Sequence, residues 1–217
     1  MLALRYALYL ALALVVGLVA RETARSLVAD KLGDPTPRRW GRLWPSASMV
    51  DPFGTLILPA LILILWGSAA AFRPPPFAYA KPLPLDPTYL RKPTRDTVLI
   101  SIAGPAANLA LAIVAGFALR LGIESFEMLL VAQAFLFTNL IMFVFHLMPV
   151  PGLDGARMLA LVLPVHAREI YRNLDQYLVL FMLVIFFLFA GPLLAIVEGL
   201  VGAACDVVAG SAACGQF

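Results

Sequence analysis

The stretch LALRYALYLALALVVGLVARETAR, Leu2–Arg25, sets the reading of the whole chain. From Leu2 to Ala20 it is almost wholly apolar, close to the roughly 20 residues that carry a helix across a bilayer. It then leaves through Arg21-Glu22-x-x-Arg25. Residues at i and i+4 share a helical face, so the two arginines stand one above the other. The composition agrees with a chain embedded in hydrocarbon: of 217 residues, 62% are hydrophobic and 13% charged, and the mean hydropathy is +0.91. Soluble domains run at roughly 45–50% apolar and about 25% charged, so this chain has too little polar surface to wet a globule. The first apolar run is followed by arginines rather than by a small-residue cleavage site, and is read as a retained helix.

Hydropathy and length predict an all-α polytopic membrane protein of about five spans, at about residues 2–20, 53–72, 98–119, 128–148 and 177–204, in a single membrane domain over 1–217. The last carries Gly191-Pro192, where a kink is expected, and Glu198, which is read as facing the interface. Between the first and third spans the proline-rich loop, with FAYAKPLPLDP (Phe77–Pro87), predicts a small extended or β element. The net charge is +3. Basic residues concentrate in the connections. With Lys31, Arg38, Arg39 and Arg42 placed on one side and Arg73, Lys81, Arg91, Lys92 and Arg95 on the other, the positive-inside rule is close to a tie. Membrane-flank charges of this kind exclude nucleic acid as a partner, and membrane lipid is the expected surroundings. Cys205 and Cys214 can pair if the tail faces an oxidising compartment, and they make no zinc site.

Five motifs occur in a telling order: LGDPT (Leu32–Thr36), DPFGT (Asp51–Thr55), AKPLPLDP (Ala80–Pro87) followed by GPAAN (Gly104–Asn108), and PVPGLDG (Pro149–Gly155). In that order the chain resembles the site-2 protease family of intramembrane zinc metalloproteases from residue 1 to about 165. The resemblance implies a site-2-protease-like core in a bacterial inner membrane. It also implies that the first helix should end in His-Glu-x-x-His and that the LDG aspartate, Asp154, should be the third zinc ligand. Two imidazoles at i and i+4 grip one ion while the glutamate acts on metal-bound water. Here those positions read Arg21, Glu22, Thr23, Ala24, Arg25. A guanidinium remains protonated and offers donors only, so it has no lone pair for a metal.

The expected site is therefore vestigial: Arg21, Glu22, Arg25 and Asp154, with Asn108 and His146 as neighbours and no resident cofactor. The charges balance, because two arginines and two carboxylates sum to zero as a zinc with its two carboxylates does. His146 stands where the resemblance implies an asparagine, and is read as a hydrogen-bonded structural histidine; His166 is read as solvated. For Asn108 a contact near the site and simple helix packing stay open. Asn139 is expected to bond across helices. Three functions follow. The first is a pseudoprotease that scaffolds a transmembrane partner or substrate helix. The second is an active metalloprotease using an unusual zinc site of Glu22, His146 and Asp154. The third is a small carrier with Arg21, Arg25 and Glu198 along its path.

Overall fold

The computed structural model describes residues 2–57, 78–81, 83–151, 153–159, 162–174, 177 and 195–214. Three of its helices are long and apolar enough to cross a membrane: α1 (Leu2–Leu32), α3 (Pro93–Arg120) and α4 (Phe126–Leu147). Between them lies the short α2 (Thr36–Arg39), and after them α5 (Asp154–Leu159), α6 (Val165–Leu174), α7 (195–209) and α8 (Ser211–Cys214). This is an all-α membrane protein, with no strand among the described residues. Most of the expected spans at 53–72 and 177–204 lie outside the described residues.

The first span does not stop at Ala20. The helix runs through the arginines to Leu32 without a break, because their charges are met locally by carboxylates. It ends where Gly33 takes φ +111°, a conformation glycine reaches without a Cβ penalty. The amide of Asp34 then donates to the Ala29 carbonyl at 3.0 Å, closing the last turn. Pro93 opens α3 at a position where a missing N–H costs nothing.

The helices α1 and α4 run parallel, and α3 runs against both. Glu127 at the start of α4 accepts from Arg5 and Tyr9 near the start of α1. Ile100, near the start of α3, packs with Ala29 near the end of α1. The largest apolar core joins Ala112 and Ala115 of α3, Leu136, Leu140 and Val144 of α4, and Val197 and Val201 of α7. Cys205 and Cys214 are bonded to each other within it, their Cα atoms 6.0 Å apart.

Of the expected extended or β element, residues 78–81 and 83–86 lie outside any helix, and no β ladder accompanies them among the described residues. Ala78 and Ala80 pack against Leu14, Leu18 and Met142, while Leu83 lies farther along α1, beside Ala29. The amides of Tyr79 and Lys81 donate to the carbonyls of Gly54 (3.1 Å) and Met49 (2.9 Å). Prolines at 82 and 84 remove the donors that a longer ladder would need.

This pairing corrects one expectation. The two basic loops lie at the same end of the bundle, not at opposite ends. Asp34, fully buried, accepts from the Thr36 amide and, through its other oxygen, from the Asp86 amide, both at 2.9 Å. Arg42 donates to the carbonyls of Ser48 (2.7 Å) and Lys81 (3.1 Å). Beside this clasp, the hydroxyl and amide of Thr88 donate to Asp86 and hold its carboxyl below the usual carboxylate range. Asp34→Ala is expected to cost about 1–3 kcal/mol, since two amides lose their acceptor. Faster proteolysis within residues 34–51 and 83–92 of detergent-solubilised protein is the readout.

Candidate functional site

Arg21, Glu22 and Arg25 stand on one turn of α1. Asp154, the first residue of α5, meets them from 133 positions farther along the chain. The proline-broken turn after α4 brings it there: the Met148 amide donates to Phe145, Val150 to Met148 and Leu153 to Val150. Gly155 then lets α5 fold back onto the end of α4, for a Cβ at that position would collide with the backbone carbonyl oxygens of Leu147 and Met148.

All four ionic side chains are buried, with Arg21 only 7% exposed and Glu22 and Asp154 each 1%. Arg21 donates through Nη1 to Glu22 Oε1 at 2.5 Å and through Nη2 to Asp154 Oδ2. Arg25 donates through Nη1 to the same Glu22 oxygen at 3.0 Å, and its Nη2 lies 3.7 Å from Asp154 Oδ1. Each arginine thus touches both carboxylates, and each carboxylate touches both arginines. Charge-assisted bonds of this kind are the strong ones, and the four charges cancel. The third wall is α3, where Gly104 admits the arginine stems: a Cβ there would stand 3.0 Å from Arg21 Cγ and 3.1 Å from Arg25 Cδ.

Asn108 lies one turn beyond Gly104 on α3, fully buried, with neither amide atom hydrogen-bonded. Arg21 Nε, Arg25 Nε and Glu22 Oε2 likewise have no partner. His146 is buried, and its Nδ1 lies 2.8 Å from the Met142 carbonyl. A carbonyl only accepts, so Nδ1 carries the proton and serves the helix. Asn139 departs from expectation: its Nδ2 donates to Phe135 of its own helix at 2.8 Å rather than to another helix. Its Oδ1 is unpartnered and faces Gly17 of α1, where a Cβ would come within 2.7 Å. His166 and Glu198 are exposed. Among the described residues no three His, Cys, Asp or Glu side chains gather as a ligand set.

The chain is 33% identical over 189 residues to the Bacillus subtilis protein named "Putative zinc metalloprotease YwhC", across 82% of its own length and 80% of that relative's. The chain belongs to the site-2 protease family. A second relative, "Putative zinc metalloprotease Rip2" of Mycobacterium tuberculosis, is 38% identical over 95 residues, which are 43% of this chain and 37% of that protein. No family model and no solved structure matches. Within the family's frame, the role of Gly155 was missed from sequence. Its signal was a glycine directly after the aspartate, at the start of a helix, where only a close backbone approach gives it a reason.

Proposed function

We propose that this chain is a catalytically inactive member of the family, a membrane scaffold that holds a transmembrane partner without cutting it. The observation that carries this reading is the pairing of both arginines with both carboxylates. The relatives' names imply zinc, and the donor set here does not fit that ion. A catalytic zinc takes three protein ligands and an open position. At two of the expected positions stand guanidinium groups, which have no lone pair to donate. The candidate third ligand, Asp154, and the candidate base, Glu22, are each engaged by Arg21 and Arg25. Without a metal to polarise a carbonyl and acidify water, one carboxylate hydrolyses no amide at a useful rate.

The scaffold has something to hold a partner with. Residues 78–81 and 83–85 follow α1 from Leu14 to Leu32, and main-chain groups there other than those of Tyr79 and Lys81, which are bonded within the chain, can pair with an unwound stretch of another membrane protein. The single membrane domain and the bacterial inner membrane belong to the same proposal. The relatives' names favour a second reading, an active zinc metalloprotease, for which Glu22, His146 and Asp154 are the side chains with lone pairs to offer.

The two readings part in a paired assay on purified protein: zinc content, and cleavage of a model membrane substrate, for the native chain and for Arg21→His with Arg25→His. The expected result is about one zinc per chain in the double variant and far less in the native chain, which leaves the substrate intact. Stoichiometric zinc and cleavage in the native chain overturn the inactive reading.

A further inference from the structure

The clasp between the two loops builds a basic face out of residues that are far apart in the chain. Tyr89 is its hub. Gly33 backs onto the Tyr89 carbonyl, from which a Cβ at that glycine would stand 3.1 Å, and the Arg39 guanidinium lies over the Tyr89 ring, 5.7 Å from its centroid. Lys31 closes α1 just before Gly33, Arg91 and Lys92 lead from Tyr89 into α3, and Arg95 stands in the first turn of that helix. All five cations are exposed. The carboxylates around them are engaged elsewhere. Asp30 accepts from Arg38 at 3.0 and 2.6 Å, Asp34 is buried on the amides of Thr36 and Asp86, Asp86 accepts from Thr88, and Asp96 is buried and accepts from the Lys92 amide at 2.8 Å. Among the described residues, Lys31, Arg39, Arg91, Lys92 and Arg95 make no salt bridge.

The depth of this face is set by the helices that carry it. At 1.5 Å per residue the 31 residues of α1 measure about 46 Å, against about 30 Å of hydrocarbon in a bilayer, so its last turn reaches the headgroup layer. Trp40 and Trp44, 62% and 79% exposed, present the amphipathic rings that settle at that layer. Below the cations the surface turns apolar on the same helical faces. Leu27 stands four positions before Lys31 on α1, and Leu99 four positions after Arg95 on α3; both are exposed and lie one turn deeper than the charge. A cation with an exposed leucine beneath it matches a phosphodiester joined to an acyl chain, whereas a phosphate from solution has no use for the leucine. Arginine meets a phosphate as a fork and lysine as a point charge.

We propose that the face around Tyr89 is a binding site for anionic phospholipid, with the headgroup phosphate held by Lys31, Arg39, Arg91, Lys92 and Arg95 and the acyl chains lying along Leu27 and Leu99. It rests on neither the inactive nor the proteolytic reading of the ionic site. Its consequence is a bound lipid that bridges α1 and α3 at the end where the two loops are clasped.

The test uses the full chain, purified in a neutral detergent and equilibrated with mixed micelles of equal phosphatidylglycerol and phosphatidylcholine. Lipid retained after repurification is quantified by mass spectrometry. A cation near a headgroup layer is worth about fivefold, so the native chain is expected to retain the anionic lipid over the neutral one by about tenfold or more. The triple variant Lys31→Gln, Arg91→Gln, Lys92→Gln is expected to fall to within about threefold of parity. Equal retention of the two lipids by the native chain overturns the site, and so does undiminished enrichment in a triple variant that melts where the native chain does. Inorganic phosphate that raises the melting temperature of the delipidated native chain as much as phosphatidylglycerol does overturns the lipid as its occupant. If the triple variant melts below the native chain, the native chain in about 0.5 M sodium chloride decides alone: screening of exposed cations must lower the enrichment severalfold, and an unchanged ratio overturns the proposal.

Discussion

Asp154→Ala is expected to lower the stability of the protein by about 3–5 kcal/mol, the cost of breaking a buried ion pair from one side. The aspartate is 1% exposed and is met by both Arg21 and Arg25. Its removal leaves two guanidinium groups against one glutamate, a net positive charge among buried side chains. The loss would appear as a lower melting temperature in detergent. Arg21→Met alone strands a negative charge and should cost a similar amount. Combining Arg21→Met with Asp154→Leu returns the site to neutrality, with Arg25 and Glu22 still paired at 3.0 Å, so the double variant should be more stable than either single one. Groups in one network are strongly non-additive, and a double-mutant cycle measures that coupling. Simple addition of the two single losses would mean that the arginines and carboxylates do not act as a unit, and an unchanged melting point for Asp154→Ala would remove the pairing as a source of stability.

Gly155→Ala is expected to be nearly as damaging, for a steric reason. Its Cβ would run into the carbonyl oxygens of Leu147 and Met148, which are backbone atoms at the end of α4 and cannot rotate aside. Overpacking costs about 1–3 kcal/mol where side chains can yield, so a clash with backbone belongs at or above the top of that range. Gly104→Ala is the natural comparison. There the neighbouring atoms are the flexible stems of Arg21 and Arg25, at 3.0 and 3.1 Å, and a small shift relieves the contact. Melting temperatures should therefore fall much further for Gly155→Ala. Equal losses would mean that α5 is free to move off α4, and Asp154 with it.

Much of this protein is legible in its residues. Hydropathy reports which segments prefer hydrocarbon, and three of the expected spans are helices that bundle together. The period of the α-helix places Arg21 and Arg25 on one face, and coordination chemistry says that neither can take the place of an imidazole. The order of LGDPT, GPAAN and PVPGLDG carries the family. These are local properties, set within a turn or two of chain.

What needed the tertiary structure are the facts about which distant groups meet. That Asp154 answers Arg21 across 133 positions follows from the path of the turn after α4. That Asn139 bonds its own helix, and that Gly155 must be small, depend on how closely backbones approach. The sidedness of the loops lay beyond hydropathy altogether. Hydropathy measures how deep a segment sits and is blind to which face it returns to, whereas the Asp34 and Arg42 hydrogen bonds join positions 52 and 39 residues apart in the chain. Charge counted along a chain acquires a sign across the membrane only when such bonds say which connections share a face.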